Sequence, residues 1–95
     1  MEPKTFEEAC RLLTNEIAEL VIAKQADYGQ SNILDFGEFG VLVRTNDKIA
    51  RLKNLTKQSK MPKNEAADDS WKDTAGYAIA ALMLRRGWFI LPLEE

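Results

Sequence analysis

Residues 65–86, EAADDSWKDTAGYAIAALMLRR, decide the fold. Acids crowd the start of this stretch (Glu65, Asp68, Asp69) and arginines close it (Arg85, Arg86), an order that suits the partial charges at the two ends of an α-helix. Asn64 stands where an N-cap is wanted, and Gly87 where a helix stops. The second half, AGYAIAALML, is apolar nearly all round, as in a helix covered by neighbours on more than one side. A central helix over about 65–86 is therefore expected.

Upstream of it, 58–64 (QSKMPKN) is polar, contains Pro62 and reads as a linker. Before the linker a helix is expected over about 41–57, with Val41, Leu42, Ile49, Leu52 and Leu55 on one side. Residues 30–40 (QSNILDFGEFG) read as a loop whose Ile33, Leu34, Phe36 and Phe39 pin it to the body or line a pocket. The first helix is expected over about 5–26. Thr5-Phe6-Glu7-Glu8 is a capping box at its start, Gly29 a left-handed cap past its end, and Phe6, Ala9, Leu13, Ile17, Leu20 and Val21 its inward face. Downstream, the tail 88–93 (WFILPL) is too apolar for water, so it straps the monomer or completes a partner's core. No alternating strand pattern separates these segments. The expectation is a single all-α domain over 1–95, a three-helix chain forming a helical bundle. Homo-oligomerisation through the apolar third helix and the tail would complete it.

Size supports self-association, because a chain of 95 residues buries little more than half of its unfolded surface. With 13 basic against 15 acidic residues, nonspecific binding to nucleic-acid phosphates is not expected. The absence of histidine excludes His-based acid–base chemistry, Ser-His-Asp triads and His-ligated zinc. Cys10 is the single cysteine, which suggests a reducing compartment, and it has no basic activator beyond Arg11. The first ten residues carry acids where a signal peptide needs a basic start. Arg85, Arg86 and Pro92 interrupt the longest apolar run, which makes it a poor membrane span. A cytoplasmic protein is expected.

The sharpest chemical feature is the ladder Glu65, Asp69 and Asp73, followed by Tyr77 at the same four-residue step. These positions climb one side of the helix, drifting by about 40° per step. Like charges so spaced repel unless neutralised, and hard oxygen donors on adjacent turns suit Mg²⁺. Ion pairing or simple solvation is the competing reading. On the preceding helix Arg44, Asp47, Lys48 and Arg51 follow at i, i+3, i+4 and i+7. The bases could hold polyphosphate, the arginines in bidentate fashion, with Asp47 as a metal ligand or orienting Arg51, or the bases could pair with the ladder acids across the helix interface. Lys24 and Asp27 prolong the apolar stripe of the first helix beside Tyr28, as a pocket rim or as an end-of-helix pair that snorkels to water. Glu16 and Glu19 read as a solvated face, and Trp71 and Trp88 as core or interface anchors.

Three segments together carry a family resemblance: Lys24-Gln-Ala-Asp27-Tyr28-Gly29, Arg44-Thr-Asn-Asp47-Lys48-Ile-Ala-Arg51-Leu52, and Glu65 to Ala78 with its E-x-x-x-D-x-x-x-D-x-x-x-Y spacing. In order and spacing they resemble the nucleotide modification associated domain 1 family of bacteria and especially their phages, over about residues 24–84. That family is similar in flavour to the all-α MazG-like nucleoside triphosphate pyrophosphohydrolases, which hold Mg²⁺ with carboxylates on neighbouring helices and cut between the α- and β-phosphates. Their fingerprint pairs E-x-x-E with E-x-x-D. Here the E-x-x-E is Glu16/Glu19, far upstream, and the ladder of the third helix runs at E-x-x-x-D spacing.

The resemblance implies a phage-type nucleotide-associated protein in the host cytoplasm. As an enzyme it would be a Mg²⁺-dependent (deoxy)nucleoside triphosphate pyrophosphohydrolase or a nucleotide-modification accessory. Asp69 and Asp73, helped by Glu65 or Asp47, would then hold the metal and supply the catalytic carboxylates. Arg44, Lys48 and Arg51 would take the phosphates, with Lys24, Asp27, Tyr28 and Tyr77 around the nucleotide. The alternative is a noncatalytic binding protein that sequesters a nucleotide or modulates a host or phage protein.

Overall fold

The computed structural model describes residues 2–58 and 65–95. It is an all-α bundle of α1 (Phe6–Tyr28), α2 (Ser31–Leu34), α3 (Gly37–Lys57) and α4 (Glu65–Arg86). The expected linker and the Asn64 cap lie outside the described residues.

The start of α1 obeys its capping signal. The Thr5 hydroxyl accepts the Glu8 N–H at 3.1 Å. The reciprocal bond is displaced by one residue: Glu8 Oε2 accepts from the Lys4 N–H at 2.8 Å, where a strict capping box would use Thr5. At the far end α1 runs two residues past the expected Ala26, and Gly29 closes it at φ 74° by donating to the Gln25 carbonyl.

The segment 30–40 differs more from expectation. It holds the single-turn α2 and the first turn of α3, which begins at Gly37 rather than Val41. Gly37 takes φ 62°, a conformation that costs glycine little. Gly40 lies inside the helix for a steric reason, since a Cβ there would collide with Cβ of Phe36. The two glycines that suggested a loop thus permit the turn into α3.

Helix α4 is central, packed along α3 on one side and α1 on the other. Leu52 and Leu55 of α3 enclose Ala67 of α4, with Ile49 and Ala66 packed against them. On the opposite side α1 approaches closely where α4 is smallest: a Cβ on Gly76 would stand 3.3 Å from Val21 Cγ2. The inward face of α1 is only half used. Ile17 is buried and Leu20 and Val21 are partly covered, but Leu13 is 57% and Phe6 85% exposed.

A Schellman motif ends α4. Gly87, at φ 73°, donates to the Leu84 carbonyl and Trp88 to that of Met83. Trp88 is half exposed, with the Arg86 guanidinium 5.2 Å from its ring centre. The tail beyond straps back over the monomer: Phe89 is buried, and Gln30 Nε2 donates to the Ile90 carbonyl at 2.9 Å. No helix among the described residues is long and apolar enough to cross a membrane.

Candidate functional site

The seam between α1 and α4 is not filled. It opens into a cleft of about 310 Å³ bounded by the C-terminal half of α1, the middle of α4, α2, Arg44 of α3 and Phe89 of the tail. Its size is at the lower end of the roughly 300–1,000 Å³ usual for small-molecule sites. Helical periodicity explains the polar contributors. Lys24 and Tyr28 follow Ile17, Leu20 and Val21 on the face that α1 turns to the body, and Asp73 and Tyr77 precede the buried Ala80 on α4. Apolar Leu20, Val21, Ala80 and Phe89 complete the walls.

Asp73 is the electrostatic centre. Its side chain is only 18% exposed, with Lys48 Nζ at 3.0 Å and Lys24 Nζ at 3.9 Å. One carboxylate therefore ties together α1, α3 and α4. Lys48 is largely covered at 26% exposure, whereas Lys24 is 50% exposed at the rim. Arg44 is held by α2, donating through Nη2 to Asn32 Oδ1 at 3.0 Å and less closely to the Asn32 carbonyl. The anchored guanidinium lies at the cleft wall.

Elsewhere α1 and α4 are bridged by Lys72, whose Nζ lies 2.6 Å from Glu16 and 3.4 Å from Asp68. Hydrogen bonding to Glu16 first, then Asp68, raises its pKa above the ordinary lysine value. Glu16, expected on a solvated face, thus serves as a tie between helices.

Of the residues expected to form a site, the cleft gathers Lys24, Tyr28, Arg44, Asp73 and Tyr77, and Lys48 reaches it through Asp73. Asp27, Asp47, Arg51 and Asp69 are exposed and do not line it. The Glu65 side chain lies outside the described residues. Asn32, Gly76 and Phe89 belong to the cleft but were not singled out by sequence. Asn32 sits in the segment read as loop, and the strap reading of the tail was the one signal for Phe89.

Of the carboxylates expected to hold Mg²⁺, Asp73 lines the cleft, Asp47 and Asp69 are exposed outside it, and the Glu65 side chain lies outside the described residues. Among the described residues no three Asp, Glu, His or Cys side chains group closely enough to hold a metal, and the cleft-lining carboxylate is already engaged by two ammonium groups.

Fold and site together define an all-α bundle with a mainly apolar cleft, edged by a few charged side chains, against its central helix. The chain matches no protein-family model, no curated protein and no solved structure.

Proposed function

We propose that this chain is a nucleotide-binding protein whose ligand occupies the cleft between α1 and α4. The observation that carries the reading is the pairing of Lys24 and Lys48 with one carboxylate and the placement of Arg44 in the same cleft wall, beside Tyr28 and Tyr77, in a space of small-molecule size. Ammonium and guanidinium groups suit phosphate oxygens, and the tyrosines offer flat apolar walls to a base or sugar. The resemblance of the three sequence motifs to the nucleotide modification associated domain 1 family supports the same ligand class, since each motif places residues at this cleft.

Between the two forms of this function, binding without turnover is favoured. A pyrophosphohydrolase needs metal-held water beside the α-phosphate, and the pairing of Asp73 with Lys24 and Lys48 leaves the cleft short of metal-binding carboxylates. Sequestration of a nucleotide in a cytoplasm, that of the host where the chain is phage-encoded, is the function that results. A host or phage protein docking on the apolar tail is the alternative partner.

Self-association belongs to the same reading. The chain exposes 7457 Å², whereas a compact monomer of 10.8 kDa exposes about 5,500 Å². The excess is more than the roughly 800 Å² per partner of a standard interface. Leu82 on α4, Ile90 and Leu91 on the tail, and Phe6 and Leu13 on α1 contribute exposed apolar surface for a second copy.

A thermal-shift screen of nucleotides on the full chain, followed by chromatography of the incubated mixtures, tests the proposal. Ligand at about 100 times Kd should stabilise the fold by about 2.7 kcal/mol, with the nucleotide recovered intact. Appearance of monophosphate from triphosphate would establish the enzyme instead. Absence of any shift would leave the cleft charges as structural pairs.

A further inference from the structure

Given the nucleotide-binding role proposed for it, we infer that the cleft takes a mononucleotide with a terminal dianionic phosphate as the bare anion, without a divalent cation. Asp73 is the internal counter-ion that this phosphate displaces.

Charge balance comes first. Lys24, Arg44 and Lys48 bring three positive charges to the cleft and Asp73 one negative charge, a surplus of two. A phosphate monoester near neutral pH carries nearly two negative charges. It neutralises the cleft without a companion metal. A divalent cation at Asp73 would have to strip the carboxylate from both ammonium groups and then sit among three cations. Mg²⁺ normally draws on one or two carboxylates along with its waters and the substrate phosphates. Among the described residues the other acids of the motifs, Asp27, Asp47, Asp68 and Asp69, are exposed and outside the lining.

Geometry points the same way. Lys24 is held loosely, at 3.9 Å from Asp73 and half exposed, so it is the easier cation to transfer to an entering phosphate. Lys48 is closer, at 3.0 Å, and more covered. Arg44 is oriented beforehand by Asn32. A phosphate entering from the rim meets Lys24 first and replaces the Asp73 carboxylate as acceptor for one or both lysines. Asp73 opposes the bound anion and keeps the lysines neutralised when the cleft is empty. The volume of about 310 Å³ suits one nucleotide unit better than two.

The test is calorimetric titration of the full chain with nucleoside monophosphates, in EDTA and again in Mg²⁺, for the wild type, Asp73→Asn and Lys48→Gln. Equal affinity in the two buffers, within about threefold, is expected, together with tighter binding by Asp73→Asn because a negative charge beside the anion is gone. Lys48→Gln should weaken binding by about tenfold or more, as befits loss of a charge-assisted hydrogen bond. Binding that needs Mg²⁺, or that vanishes in a folded Asp73→Asn, overturns the metal-free site while leaving a nucleotide-binding protein. Failure of every nucleoside monophosphate to bind in either buffer overturns this inference, and if no triphosphate shifts the melting temperature in the screen above, the nucleotide reading falls with it. Should Asp73→Asn fail to fold, the wild-type comparison between EDTA and Mg²⁺ decides alone.

Discussion

The two flanks of α4 are built to opposite ends. Against α3, Leu52 and Leu55 close over Ala67 and the seam is apolar and filled. Against α1, small residues let Val21 come near Gly76, yet the same seam holds the 310 Å³ cleft with its charged edge and, beyond Val21, an apolar groove of about 260 Å³. A small chain has few apolar contacts to spend, and here they are concentrated on one side. The open flank is held by polar contacts instead: Asp73 with Lys24, Lys72 with Glu16, and the Gln30 bond to the tail. Partly covered ion pairs confer orientation more than stability, which is what a binding seam requires.

The sharpest way to break this contrast is truncation. Leu52→Ala should destabilise the fold by about 2–5 kcal/mol through a cavity that cannot collapse. Val21→Ala should cost less than half as much, because its surroundings already include open space; urea unfolding of the two variants compares the flanks directly. Equal losses would show that the α1 seam is as well packed as the other. Next in size is Arg44→Ala, expected to reduce nucleotide affinity by about 1.5–3 kcal/mol with the melting temperature little changed, read by calorimetry beside a thermal melt.

Smaller effects sharpen the picture at its edges. Gly87→Ala forces a Cβ into the left-handed turn that aims the tail, and should cost about 1 kcal/mol of stability on denaturant unfolding. Loss of nucleotide binding beyond that cost would mean the strap positions the cleft as well as covering it. Smallest is Glu38→Gln. The Arg85–Glu38 pair joins α3 to the end of α4 at 3.0 Å but is solvent-exposed at both partners, so the unfolding midpoint should stay where it is.

Much of the architecture was legible in advance. The central helix, the caps at Thr5, Gly29 and Gly87, and the all-α class follow from residues that act locally, within a turn of their own position. The start of α3 was not legible, because whether Gly37 and Gly40 break a helix or begin one depends on how Phe36 packs, which spacing does not report. The site was legible by halves. Four-residue steps drift around a helix, so a ladder drawn straight on paper winds off the face: Asp73 and Tyr77 reach the cleft while Asp69 turns to solvent. Pairing between helices was foreseen as the competing fate of these charges, and for Asp73 with Lys48 that pairing is present; the approach of Lys24 to Asp73 was not foreseen. Asn32 and Phe89 were hidden because long-range folding alone brings them to α1 and α4.

Phe89 has one consequence larger than its size. Its ring belongs to the wall of the charged cleft and to the wall of the apolar groove under the tail, as do Val21 and Gln25. A partition shared by two chambers makes their occupancies interdependent. Whatever fixes the ring from one chamber sets the shape offered in the other, and thermodynamic linkage requires the influence to be equal in both directions. A nucleotide in the cleft and a protein surface on the tail would then be read by the same side chain, without a moving domain between them.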